Sequence, residues 1–112
     1  MKEVKLDLKN DVLIVRILCE IDHHTAKIIR DMADKRLKEA LPKVLELDFS
    51  SVTFMDSSGI GLVMGRVNIA RELGVRVTVT GLSQKLFRLF RMAGLERLEG
   101  LSFPAMSLVK KM

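Results

Sequence analysis

The sequence contains no tryptophan, no tyrosine, a single cysteine and only two prolines in 112 residues. Without Trp or Tyr, and with its five Phe mostly inside apolar runs, the chain shows no aromatic platform on which bases could stack. Cys19 alone cannot form an internal disulfide. No apolar run approaches the ~20 residues that cross a bilayer. The N-terminal stretch also lacks the basic, apolar and small-residue segments of a signal peptide. The expected setting is therefore a reducing cytoplasm, away from the membrane. Repeats, low-complexity tracts and linkers are missing as well. What is present is a 48% hydrophobic, 29% charged chain, the composition of one folded domain over 1–112 with its own core.

The formal charge is +5, and it is unevenly placed. Residues 1–50 carry ten Lys/Arg against ten Asp/Glu, and residues 51–112 carry nine against four. The basic second half suits an acidic partner. Nucleic acid is the usual one, but the missing stacking residues argue against direct binding to it.

VKLDLK at 4–9 alternates apolar and charged residues, and VLIVRIL at 12–18 is rich in β-branched ones. With the turn formers Asn10 and Asp11 between them they predict a hairpin. Residues 25–41 change period: Ile28, Met32, Leu37 and Leu41 with Ile29, Ala33 and Ala40 form the apolar stripe of a helix. That helix is capped from within DHHT and stopped before Pro42. VLELDF at 44–49 reads as a buried strand, Gly59 to Leu73 as a second helix ended by Gly74, and VRVTVT at 75–80 as a strand. Ser83 caps a third helix that ends at Gly94, with Leu86, Phe87, Leu89 and Phe90 expected to face inward. A short strand near 96–101 and a helix from about Pro104 complete the order ββαβαβαβα. Such a pattern implies an α/β fold, a mixed and mostly parallel sheet with about four helices packed on it.

In folds of this kind the loops after the carboxyl ends of strands carry function. FMDSSGIGLVMGR at 54–66 begins in one of them. A catalytic serine needs a base in reach, yet the only histidines are His23 and His24 and the nucleophile-elbow pattern is missing. DHH at 22–24 is a poor metal site, since adjacent side chains diverge and further ligands are lacking. Gly59, Gly61 and Gly65 match neither phosphate-loop pattern. Three glycines near a helix start cost ~1 kcal/mol each, which suggests close approach by another backbone, either the sheet or a partner. The remaining constellation is Asp22 with Asp56, Ser57 and Ser58, polar residues between strands and helices. If their strands are neighbours, they form one patch. A phosphate on Ser58 would add about −1.5 to −2 charges there, tolerated by the helix N-terminus and repelled by nearby carboxylates.

EIDHHTA at 20–26, LDFSSVTFMDSSGIGLVMGR at 47–66 and VTGLSQKLFRLFRMAGL at 79–95 resemble the bacterial anti-sigma factor antagonists, single STAS domains of the sporulation and stress-response type. The resemblance covers nearly the whole chain. The DSSG core is its most specific part, and DHHTA points to the sporulation antagonist. It implies partner switching: the unmodified protein binds an anti-sigma factor that is also a serine kinase and so frees the sigma factor. The kinase then phosphorylates the residue matching Ser58, and a PP2C-type phosphatase reverses this. Such a protein is a substrate and a binding module, not an enzyme, with no cofactor and no metal; a monomer when free is the simpler expectation for a switch that must expose its interface. By this carry-over Glu20, Asp22, His23, Asp56, Ser57, Ser58, Gly59 and Gly61 would form the partner-binding surface. The alternatives are a STAS module of another stress cascade, or a small Ser- or metal-dependent hydrolase. Cys19, where family members often have Gly, and the basic second half depart from the pattern, but neither touches DSSG.

Overall fold

The chain doubles back at Asn10 and Asp11, both with positive φ, 53° and 66°. Two successive left-handed residues give the tight turn whose twist suits a hairpin, and Asn and Asp tolerate that conformation well. In the computed structural model, which describes residues 3–104, this turn joins β1 (Val4–Lys9) antiparallel to β2 (Val12–Ile17), with Lys9 opposite Val12. β3 (Val44–Asp48), β4 (Arg76–Thr80) and β5 (Leu101–Ser102) then add in parallel, giving the spatial order β1-β2-β3-β4-β5.

Each parallel step is bridged by a helix: α1 (His23–Ala40), α2 (Ser57–Glu72) and α3 (Gln84–Met92). Because the strands follow in sequence order and such crossovers are right-handed, all three helices cover one face of the sheet. Burial agrees. Leu13, Val15, Ile17, Leu45, Leu47, Val77 and Val79 alternate along their strands and are at most 1% exposed. Each such side chain contributes about 1.5–3 kcal/mol relative to exposure. Phe49 and Phe90 meet edge to face with centroids 5.5 Å apart, locking α3 over the end of β3.

The expected order is realised through β5, and the expected fourth helix lies outside the described residues. Several boundaries move for local reasons. α1 begins at His23 and α2 at Ser57, because the caps are Asp22 and Asp56, so both serines belong to the first helical turn instead of a loop. Leu41 leaves the apolar stripe: it adopts a left-handed cap, φ 44°, with its N–H on the Leu37 carbonyl, and is 57% exposed. Leu89 is also exposed, while Leu86, Phe87 and Phe90 are buried as expected. The strand near 96–101 shrinks to two residues, because a 3-10 turn at Leu95–Arg97 follows the left-handed Gly94.

One glycine is indispensable for this geometry. Gly81, just after β4, has φ +74°, and a Cβ there would lie 2.6 Å from the Ser50 backbone nitrogen. It lets the β4 exit pass against the β3 exit, where Phe49 N–H donates to the Thr80 carbonyl at 2.8 Å.

Candidate functional site

The two loops singled out by sequence are stapled together by their main chains. Ile21 and Met55 form an isolated parallel bridge, with Ile21 N–H donating to Phe54 O at 3.0 Å and Asp56 N–H to Ile21 O at 3.1 Å. This pairing sets the N-termini of α1 and α2 side by side and brings Glu20, Asp22 and His23 next to Asp56, Ser57 and Ser58.

Each loop ends in a carboxylate cap. Asp22 Oδ1 accepts from Thr25 N–H at 2.9 Å, and Thr25 Oγ1 accepts from Asp22 N–H at 3.0 Å, a reciprocal capping box. The Thr25 hydroxyl lies 2.8 Å from the Glu20 carbonyl, tying down the segment between β2 and α1. Asp56 Oδ1 accepts from Ser58 N–H at 2.8 Å. The Thr25 backbone N–H holds the Asp22 carboxyl below its ordinary range. Since the folded value is the lowered one, the cap contributes fully above the unfolded carboxylate range and is lost as pH falls through the folded value. Asp22→Ala is expected to lower the melting temperature by a few degrees at neutral pH, with the gap from wild type closing in acid. Thermal melts across the acidic range check this.

The paired serines diverge. Ser58 lines a groove of about 400 Å³ between α1 and α2, together with His23, Lys27, Arg30, Gly61 and Arg66 among others. Ser57 lines a smaller hollow of about 250 Å³ with Asp56, Ile60, Met55 and Leu89. Exposed Leu89 and Met92, one turn apart on α3, extend that hollow into an apolar surface.

The sheet approaches none of the three glycines, which leaves Gly61 and Gly65 to the other expectation, approach by a partner. Gly59 is buried, and a Cβ there would collide with the Met55 side chain, not with another backbone. It presents no surface itself. A Cβ at Gly61 or Gly65 would meet nothing within 4 Å. Both face the groove and keep it open, at a helix-propensity cost of ~1 kcal/mol each that no internal contact offsets.

Sequence reasoning passed over Lys27, Arg30 and Arg66, and weighed Gly65 without assigning it to the partner-binding surface. The signal was available: residues 23, 26, 27 and 30 on one helix and 58, 61, 62 and 65 on the other follow the three-and-four spacing of a single face. Arg66 is nine-tenths buried and reaches Asp34 of α1, Nε to Oδ1 2.7 Å. The N–H is poorly aimed for a hydrogen bond, so the contact is chiefly coulombic. Burial pushes the guanidinium down from its usual value and Asp34 pulls it back up, while Arg66 Nη1 donates to the Leu62 carbonyl at 3.4 Å.

His23 shares the groove with Ser58, but among the described residues it makes no hydrogen bond to it and no carboxylate orients its ring. Among the described residues, no three His, Cys, Asp or Glu are placed to hold a metal ion, and no helix is long and apolar enough to cross a membrane. Cys19, half-buried at the end of β2, directs its Sγ toward the Glu3 carbonyl at 3.6 Å, and burial raises its thiol above the ordinary value.

A five-stranded mixed sheet with helices on one face, and two stapled helix N-termini with a serine at a groove, define a small mixed α/β domain. The chain belongs to the STAS domain family, whose model matches residues 3–107. It is 31% identical over 93 residues to the anti-sigma F factor antagonist of Paenibacillus polymyxa, covering 83% of this chain and 80% of that one. With the anti-sigma-B factor antagonist of Listeria monocytogenes it shares 34% over 86 residues, 76% of this chain and 74% of the relative. Among solved structures it superposes on the anti-sigma factor antagonist SpoIIAA in its unphosphorylated form with a TM-score of 0.69 at 22% identity, over 97% of this chain and 99% of that one. An anti-sigma factor antagonist from Mycobacterium paratuberculosis gives a TM-score of 0.72 at 23% identity, over 96% and 92%. At these identities the structural likeness speaks to the fold.

Proposed function

We propose that this chain is a cytoplasmic anti-sigma factor antagonist, itself no enzyme, that switches partners through phosphorylation of Ser58. The observation that carries the reading is the position of Ser58: in the first turn of α2, at the mouth of an open groove, on a patch stapled to the Asp22 and His23 loop. The names of the relatives at 31% and 34% identity support it.

In the unmodified form the patch docks on the anti-sigma factor, which then releases the sigma factor. Glu20, Asp22, Asp56, Ser57 and His23 supply polar contacts, and exposed Phe54, Leu89 and Met92 supply apolar area beside them. The DHHTA segment favours the sporulation circuit over a general stress cascade. The anti-sigma factor is also the kinase. The Ser58 Oγ–phosphorus bond forms as the bond from the γ-phosphorus of ATP to its bridging oxygen breaks, ADP leaves, and the hydroxyl proton passes to a base of the kinase. A PP2C-type phosphatase directs water onto the phosphorus and returns serine and inorganic phosphate. The added dianion repels the partner, and the free antagonist is a monomer in either state.

The test is tandem mass spectrometry after incubation with ATP and the source organism's anti-sigma kinase, with Ser58→Ala alongside. One phosphate is expected on Ser58 and none on the variant. No phosphate from a kinase active on another substrate overturns the switch.

A further inference from the structure

We propose that the groove between α1 and α2 is a receptor for the chain's own phosphoserine, with Lys27 and His23 holding the phosphate of modified Ser58 in place. The inference rests on the phosphorylation reading and concerns the fate of the phosphate once it is attached.

Four of the groove-lining residues carry a cationic or titratable nitrogen, namely His23, Lys27, Arg30 and Arg66, and none carries a carboxylate. Two of the four are already engaged: Arg66 with Asp34, and Arg30 with Asp31 at 3.1 Å. Lys27 and His23 make no ion pair or hydrogen bond among the described residues. They stand one turn apart on the groove side of α1, in its first two turns, while Ser58 stands in the first turn of α2. The stapled loops hold those turns together.

Ser58 is half-buried and lines the same groove as Lys27 and His23, so a phosphate added to it stands at the groove wall. The opposing charges are Asp22 and Asp56, both engaged in backbone caps, and exposed Glu20 on the stapled loop, while His24 stands in the same turn as His23. A lysine ammonium on its four-carbon stem is a compact charge able to follow a phosphate. A charge-assisted pair with it is stronger than a neutral hydrogen bond. Phosphorylation then closes the groove as well as charging it, and the held phosphate is a poorer substrate for dephosphorylation than a free one.

The test needs no kinase. Phosphoserine is installed at position 58 during translation by an expanded genetic code, and its second ionisation is followed by phosphorus NMR in wild type, Lys27→Met and Lys27→Arg. In wild type it is expected to fall at least about half a pH unit below that of the same chain in denaturant, near 6. Lys27→Met should return most of that difference, and Lys27→Arg should keep it. His23→Gln should return a smaller part. Identical titrations in wild type and Lys27→Met overturn the proposal. Lys27 is exposed and makes no ion pair or hydrogen bond among the described residues, and melts of the unphosphorylated variants verify that the fold is intact. If the kinase ignores Ser58 but this titration shifts, the switch fails and the receptor stands. If the kinase modifies Ser58 and the titration does not shift, the receptor alone fails.

Discussion

Gly81→Val is expected to be the most damaging single substitution outside the hydrophobic core. Two costs add. A β-branched residue at φ +74° sits where such side chains are rarely found, a strain of about 1–3 kcal/mol. The new Cβ would also stand 2.6 Å from Ser50 N and 2.8 Å from Ser50 Cα, main-chain atoms that cannot turn aside as a long side chain can. Relieving this contact means parting the β3 and β4 exits and losing the Phe49-to-Thr80 hydrogen bond, which adds about 1 kcal/mol or more. A total near 4 kcal/mol removes a large share of the 5–15 kcal/mol typical of a domain, and lowers the melting temperature by roughly 15 °C or more. Thermal melts followed by circular dichroism check it; a loss of only a degree or two would mean that this crossing is loose. Gly74→Ala, also at positive φ (+73°) but in open space, should lose far less.

Gly61→Leu should do the opposite, sparing the fold and weakening anti-sigma factor docking, since Gly61 belongs to the expected partner-binding surface where that surface meets the groove. A Cβ there meets no neighbour within 4 Å, and leaving glycine gains up to ~1 kcal/mol of helix propensity. The leucine would occupy the groove beside Ser58. Affinity for the anti-sigma factor, measured by titration calorimetry, is expected to fall about 10- to 100-fold, or ~1.4–2.7 kcal/mol, with an unchanged or raised melting temperature. Full affinity in a folded Gly61→Leu protein would take the groove out of the docking surface and leave the apolar α3 side as its centre.

The elements that could be foreseen are those with local causes. Asn10 and Asp11 announced a turn because their side chains tolerate the left-handed region the turn requires, and Ser83 and the DHHT segment announced caps because a side-chain oxygen ahead of an apolar period satisfies free N–H groups. The misplaced residues depend on partners distant in sequence. Leu89 has the right hydropathy for the core, but it sits at the margin of an arc already filled by Leu86, Phe87 and Phe90. Leu41 kept the helical period, but Pro42 ended the helix and turned it out. The Arg66 to Asp34 pair joins residues 32 positions apart, and nothing in either neighbourhood announces the other. The patch at Asp22 and Asp56 was legible only on condition that two strands be neighbours. The groove depends on the space that glycines leave empty, and a string of residues does not spell out empty space.

The staple between the two loops is made of backbone atoms alone, so the frame that presents the patch is indifferent to most of the letters displayed on it. Asp22 and Asp56 are held to their identities by the caps, but Glu20, Phe54 and Ser57 decorate a scaffold that stands without them. A lineage carrying several such circuits can therefore rewrite those positions one at a time, insulating each antagonist from its siblings' targets while every copy keeps the same architecture.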